Sequence, residues 1–183
     1  MSDFLGNAIT HAGIQDNLLQ SYRSLSLSLQ SIFLGIGVFL LTRIVESTTL
    51  FSSLLFAVPF IAILVFAIYA NRKFTGVILC RGQDVNFWHK QLIAIEQDCE
   101  VKNRFFTRFK VSQKHARDGS PYLSEIVEPR EAPLTEAEIK QLVGEGLGHT
   151  RKVIDKYIPL SILVVWGVVS FIVVISIYTK VNN

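Results

Sequence analysis

The stretch YIPLSILVVWGVVSFIVVISIYT, residues 157–179, contains no charged residue. Two similar stretches come earlier in the chain, SLSLSLQSIFLGIGVFLLT at residues 24–42 and STTLFSSLLFAVPFIAILVFAIYAN at residues 47–71. A helix rises about 1.5 Å per residue, so each stretch is long enough to cross a hydrocarbon layer of about 30 Å. Inside that layer the backbone must satisfy its own hydrogen bonds, which a helix does. The sequence therefore predicts three transmembrane helices, a hairpin followed by a C-terminal helix.

The overall composition agrees with a membrane protein. Half of the 183 residues are hydrophobic and 18% are charged, whereas soluble domains have about 25% charged residues. Residues 1–23 carry Asp3, Asp16 and a single basic residue, Arg23, which is unlike a cleavable signal peptide. We therefore expect residues 24–42 to stay in the mature protein as a membrane anchor.

The connection between the first two apolar stretches is short, residues 43–46, so the two helices should form an antiparallel hairpin. The segment 1–23 and the loop 72–156 then share one side of the membrane, and the tail 180–183 lies on the other. Two basic residues, Arg43 and Lys180, flank the membrane on the tail side. Seven flank it on the loop side: Arg23, Arg72, Lys73, Arg81, Arg151, Lys152 and Lys156. The positive-inside rule then predicts a cytoplasmic N-terminus and loop and a periplasmic tail, the reverse orientation being the alternative.

The loop 72–156 has helical periodicity at both ends, which predicts a helical cytoplasmic domain. After Asn71, apolar residues recur at gaps of mostly three, four or seven, so the second membrane helix should continue past the membrane, with a break at Gly82. These residues are Val77, Ile78, Val85, Trp88, Leu92, Ile95 and Cys99. Pro133 and the capping box Thr135–Glu138 predict the start of another helix, which leads into the third membrane helix.

The middle of the loop shows a different pattern. Apolar or β-branched residues at Thr107, Phe109 and Val111 alternate with basic residues, which is typical of a strand. A turn signal follows at residues 117–121, and residues 122–127 are suited to a return strand. The sequence therefore predicts a small β-hairpin inserted in the helical domain.

Small residues line one face of the first membrane helix. Ser24, Ser28, Ser31 and Gly35 are spaced by four, three and four. Small residues allow close approach of helix backbones in lipid, and serine hydroxyls can bond across the contact. We expect this face to be a packing seam, either between subunits or against the chain's own second or third helix.

A basic segment interleaved with phenylalanines occupies residues 102–117. It is suited to contact with anionic lipid headgroups, and the alternative is a solvated face whose phenylalanines pack inside the loop domain. A nucleic-acid patch has a similar composition, but we expect no nucleic-acid partner. The basic residues of this segment are Lys102, Arg104, Arg108, Lys110, Lys114 and Arg117.

No pattern in the chain indicates a catalytic site. The sequence has no GxSxG, P-loop, HExxH or CxxC motif, and Cys80 and Cys99 lack metal-ligand spacing. The apolar stretches also lack the ionisable residues that ion pumps place in membranes. We therefore expect a non-enzymatic protein without a cofactor or metal.

Several segments together resemble the RipA family of octameric bacterial inner-membrane proteins. They are Ser21–Arg23, Asn71–Lys73, Phe87–Leu92, Lys156–Pro159 and Val165-Trp166. The resemblance implies a homo-oligomer in the bacterial inner membrane, plausibly an octamer, with a cytoplasmic domain assembled from the central loop. It implies no catalytic activity and no site residues.

The sequence is thus interpreted as a homo-oligomeric membrane protein that acts as a scaffold or pore and contacts membrane lipids. Two alternatives remain. One is a membrane-bound lipid-modifying enzyme that grips headgroups through the basic segment. The other is a regulatory adaptor that binds a cytoplasmic protein through the central loop.

Overall fold

The computed structural model describes residues 2–100, 103–117, 133–143 and 153–182, with the side chains of 2–4 and 114–117 left out. The described chain is helical, as expected, and contains no strand. The helices are α1 (Ser2–Glu46), α2 (Leu50–Gln97), α3 (Phe105–Arg117), α4 (Glu136–Val143) and α5 (Ile158–Asn182), with a π-helical turn at Val153–Tyr157 before α5.

The chain divides into two compact units. The loop unit comprises Met1–Gln20 and Leu79–Lys152, and the membrane unit comprises Ser21–Ile78 and Val153–Asn183. Three helical segments are long and apolar enough to cross a membrane, Leu5–Glu46, Leu50–Gln97 and Val153–Asn182. The prediction of three such helices is therefore confirmed.

The core of the membrane unit is apolar and lies between α1, α2 and α5. Ile44, Phe60 and Trp166 are almost fully buried there. Other large apolar side chains of the same helices are exposed, among them Val58 at 69%, Phe66 at 65% and Val174 at 64%. Continuous apolar exposure of this kind is unfavourable in water and costs nothing in lipid.

Gly37 permits a close contact between α1 and α5 in this core. The Trp166 ring, 1% exposed, lies against the α1 backbone at Gly37, where an added Cβ would be 2.6 Å from Trp166 Cη2. Phe60 packs on the same indole with ring centroids 6.2 Å apart. A side chain at position 37 would therefore displace the largest residue of the core.

The turn of the membrane hairpin lies later in the chain than predicted. Residues 43–46, expected as the connection, belong to α1, and the turn is residues 47–49. The Ser47 amide donates to the Arg43 carbonyl at 3.1 Å, which continues the helical hydrogen bonding. The Thr49 hydroxyl accepts from the Ser52 amide at 3.2 Å and so caps the start of α2.

Helix α2 continues from the apolar stretch to Gln97, as its periodicity predicts. The break expected at Gly82 is wrong, because the helix is continuous through that residue and through Pro59. Three residues of the predicted apolar stripe are almost fully buried, namely Ile78, Val85 and Leu92.

Helix α1 begins far before the membrane stretch, at Ser2, which the sequence analysis did not anticipate. Its N-terminal part buries Ala8 and Ala12 together with Leu92 of α2. Leu5, Ala8, Ala12 and Leu19 have helical spacing, so the signal was present but weak, since two of the four are alanines.

The predicted β-hairpin is wrong in its first strand, because residues 105–117 form α3. The Glu96 carboxylate accepts from the amides of Phe106 and Thr107 at 2.8 and 2.7 Å, and so caps the N-terminus of α3. The buried positions Arg104, Thr107 and Lys110 recur every three residues, which is a helical rather than a strand spacing. The return strand at 122–127 lies outside the described residues.

The capping box that starts α4 is confirmed. The Thr135 amide and hydroxyl each donate to the Glu138 carboxylate at 2.8 Å, and the Glu138 amide donates back to Thr135 Oγ1 at 3.3 Å. Leu142 and Val143 of α4 bury against Ile93 of α2. The predicted continuation of this helix toward α5 falls on residues 144–152, outside the described part of the chain.

Replacing Gly37 with Ala should destabilise the membrane unit. Overpacking a tight core typically costs about 1–3 kcal/mol, so the thermal unfolding midpoint of the detergent-solubilised protein should fall. The matched control is Gly167→Ala in α5, where an added Cβ meets nothing within 4 Å. Equal midpoints for the two variants would contradict the close approach of Trp166 to α1.

Candidate functional site

The predicted small-residue face of α1 is exposed over its whole length. Ser24, Ser28, Ser31 and Gly35 are all exposed. The buried face of α1 carries Ser26, Gln30 and Gly37, each two residues from a member of the ladder. Two residues correspond to about 200° of rotation around a helix. The ladder thus lies opposite the face that packs against the chain's own helices, and no described residue of the chain covers it.

Large apolar residues border the ladder on both sides. Leu25 and Ile32 are 53% and 58% exposed along one edge. Leu27 and Val38 are 41% and 50% exposed along the other. Small side chains between two apolar ridges form a shallow groove along α1, and a groove of this shape accepts the ridge of another helix.

At the start of the apolar part of α1, an ion pair connects the buried face of this helix to the π-helical turn before α5. Arg23 Nε donates to Asp155 Oδ1 at 2.8 Å, and the second guanidinium nitrogen donates to Oδ2 at 2.7 Å. The Asp155 side chain is 1% exposed and that of Arg23 10%. Asp155 lies in the π-helical turn, a geometry that is frequent at functional sites. This bidentate contact between a guanidinium and a carboxylate is among the strongest side-chain hydrogen bonds in proteins.

Two amide side chains continue the polar contacts of the membrane unit. Gln30 Nε2 donates to the Ala67 carbonyl at 3.1 Å, and Asn71 Nδ2 donates to the Pro159 carbonyl at 3.0 Å. Both side chains are almost fully buried. Neither residue was predicted from the sequence, because an amide adds no charge to an apolar stretch. An amide in such a stretch is itself a signal of helix contact.

Lys180 joins the other end of α5 to the hairpin turn. Its ammonium donates to the Ile44 carbonyl, to the Val45 carbonyl at 3.2 Å, and to the Ser47 and Ser53 hydroxyls at 2.9 and 3.1 Å. A cation at a helix C-terminus is favoured by the helix dipole. Lys180, counted from the sequence only as a flanking charge, therefore caps the end of α1.

Within the loop unit, two of the six basic residues proposed for lipid contact have partners inside the unit. Arg104 is 8% exposed and donates to the Gln97 and Cys99 carbonyls at 3.0 and 3.1 Å. The Lys110 ammonium lies 5.3 Å from the Phe106 ring centroid and is also buried. Arg108 is partly exposed. Lys102 lies outside the described residues, as do the side chains of Lys114 and Arg117.

The loop unit also contains an open aromatic cleft between α1 and α2. Its wall is a stack of His11 on Trp88, with ring centroids 5.0 Å apart and ring planes at 14°. Phe87 meets Trp88 edge to face at 5.6 Å. The cleft has a volume of about 380 Å³, which is within the range of ligand sites. The described residues that line it are neither carboxylates nor lysines nor arginines; they are Asn7, Ala8, His11, Phe87, Trp88, Gln91 and Ile95.

No family model, curated protein or solved structure matches this chain.

The function of this chain must therefore be inferred from the contacts described above. Two ionisable residues of α2, His89 and Glu96, have clear structural partners. Glu96 caps α3, and its carboxylate also accepts from the Thr107 hydroxyl at 2.7 Å. His89 lies 3.6 Å from the Asp16 carboxylate and packs on Phe106. Among the described residues, no group of three or more His, Cys, Asp or Glu side chains could hold a metal ion.

Replacing Asp155 with Leu should strongly destabilise the protein, because Arg23 would remain buried without a counter-charge. Breaking a buried pair typically costs about 3–5 kcal/mol, which should appear as a lower thermal unfolding midpoint in detergent. The double variant Arg23→Leu with Asp155→Leu should recover much of this loss, because no unpaired charge remains.

The matched control is Asp84→Leu, which removes the exposed Arg81–Asp84 pair, a type worth about 0–1 kcal/mol. A double variant as unstable as Asp155→Leu, or an Asp84→Leu protein equally affected, would contradict the role given to the buried pair.

Proposed function

We propose that this chain is a non-enzymatic, homo-oligomeric membrane protein whose subunits meet through the small-residue face of α1. The observation that carries the proposal is the exposure of Ser24, Ser28, Ser31 and Gly35 on the face of α1 opposite its buried one. A second membrane helix from another copy is the partner best suited to cover this face.

In lipid, the hydrophobic effect does not drive helices together, so association depends on how well their surfaces fit. Helices associate there by close van der Waals packing and by polar contacts across the interface. A lipid chain leaves part of the narrow groove unfilled, whereas a helix ridge fills it. The groove of one copy would meet a different surface of the next copy, and exposed apolar side chains of α2 such as Val58 and Phe66 can supply the ridge.

A contact between two different surfaces gives a ring when its rotation closes, and a closed ring would cover this face in every subunit. The resemblance to the RipA family favours eight subunits and the bacterial inner membrane. The assembly would act as a membrane scaffold or, if its centre is open, as a pore. The loop unit would then extend into the cytoplasm and the four-residue tail into the periplasm, as the flanking basic residues favour.

Adding bulk to the groove should dissociate the assembly. The double variant Ser28→Leu with Gly35→Leu should give a smaller particle mass in detergent than the wild type, by light scattering. The matched control is Ser161→Leu with Gly167→Leu, which makes the same two changes at exposed positions of α5. An unchanged mass for the α1 variant, or an equal loss in the control, would exclude α1 as the specific seam.

The orientation can be tested with the native cysteine Cys80, which is exposed. In a Cys99→Ser background, a membrane-impermeant maleimide should not label Cys80 in spheroplasts. It should label Cys80 once the membranes are broken open. Labelling in intact spheroplasts would place the loop unit outside the cytoplasm and would reverse the proposed topology.

A further inference from the structure

We propose that Phe105 and Phe109 of one copy insert into the aromatic cleft of a neighbouring copy. This inference rests on the proposed self-assembly and adds a second contact, made between loop units. The two features occur in the same unit, and the phenylalanines of a given chain do not line its own cleft. An insertion of these phenylalanines would therefore be made by another copy of the chain.

The inserting element is an exposed aromatic pair on α3. Phe105 is 68% exposed and Phe109 is 49% exposed. They are four residues apart, so they lie on one face of the helix. Phe106, between them in sequence, faces inward and packs in the clusters of Leu92 and Ile93. Aromatic side chains bury about 150–250 Å² each when covered, which makes this pair a strong anchor for a contact.

The receiving element is a cleft whose aromatic wall is already assembled. The stacked His11 and Trp88 rings and the edge-on Phe87 are held by contacts within the unit. Edges and faces of these rings are suited to further edge-to-face contacts with a phenyl ring. A volume of about 380 Å³ gives room for such a ring, and none of the described lining residues is a carboxylate, lysine or arginine whose charge it would desolvate.

The charges around the two elements are opposite. Residues 105–117 carry Arg108, Lys110, Lys114 and Arg117 and no acidic residue. On the cleft side, Asp98 is exposed and lies one helical turn after Ile95, to whose carbonyl its amide donates at 3.3 Å. Asp84, one turn before Phe87 and Trp88, is paired with Arg81 at 3.0 Å. A basic aromatic helix would thus meet an aromatic cleft with the Asp98 carboxylate at one end, which favours docking in one orientation.

Anionic lipid could also attract a basic helix with exposed phenylalanines. The second copy is favoured because the same chain contains a cleft that matches the pair in chemistry and charge. A contact that joins two different surfaces of identical molecules is heterologous, and repetition of it produces a ring when the rotation closes. Such a contact is compatible with the assembly proposed for the membrane unit.

Cysteine cross-linking of the full-length protein tests the contact. In a Cys80→Ser, Cys99→Ser background, chains with Phe105→Cys and chains with Gln91→Cys are co-expressed with different tags. Mild oxidation of the membranes should give a disulfide-linked dimer that contains both tags. Gln83→Cys is the matched control partner: it is exposed but eight residues, or about 12 Å, from position 91 along the helix, and should give little product.

The outcomes separate this inference from the proposed function. If mixed dimers do not exceed the Gln83→Cys control while the detergent particle is still oligomeric, the α3 contact is wrong and self-assembly stands. If the detergent particle is a monomer, both are wrong. If brominated lipids quench the fluorescence of a Phe105→Trp variant that also carries Trp88→Phe and Trp166→Phe, and no cross-link forms, α3 contacts the membrane and the inference is overturned.

Discussion

The ion pair between Arg23 and Asp155 joins residues that are 132 positions apart in the chain. Both side chains are withdrawn from solvent, so neither charge is tolerated without the other. The pair fixes the start of α5 against the start of the apolar part of α1. Further along α5, the Pro159 carbonyl accepts a hydrogen bond from Asn71, and the Trp166 ring packs on Gly37. The Lys180 ammonium binds the C-terminal end of α1. The register of the three membrane helices follows from these contacts.

The same contacts determine what α1 presents to its surroundings. Because Gln30, Gly37 and Ile44 face α2 and α5, the residues half a turn away must face outward. Those residues include the small side chains Ser28 and Gly35, between ridges of Leu and Ile. An isolated chain would expose this groove to lipid, which fills it poorly. The internal contacts of α1 thus decide that this groove faces outward, and the proposed self-association depends on that exposure.

Much of the fold follows from local patterns in the sequence. The three apolar stretches, the continuation of α2 and the capping box at Thr135 depend on composition and spacing alone, and all were predicted. The assignment of a strand at Thr107–Val111 failed because the alternation is local, whereas the cap from Glu96 comes from another helix. The spacing of apolar residues within a segment does not show which residue of a distant helix will cap it.

The residues that organise the membrane unit were missed for a related reason. Arg23 and Asp155 lie just outside the apolar stretches, so they were counted as flanking charges or passed over. Their pairing depends on the packing of distant segments. Ser24, Ser28, Ser31 and Gly35 were identified from spacing, but spacing could not tell whether they face inward or outward. The buried positions of Gln30 and Gly37 on the opposite face provide that information.

The mass of the wild-type particle, extracted in mild detergent and measured by native mass spectrometry, tests self-assembly most directly. The account predicts a single species whose protein mass is an integral multiple, greater than one, of the 20.6 kDa chain. A homogeneous particle of 20.6 kDa, stable in several detergents and in lipid nanodiscs, would contradict it.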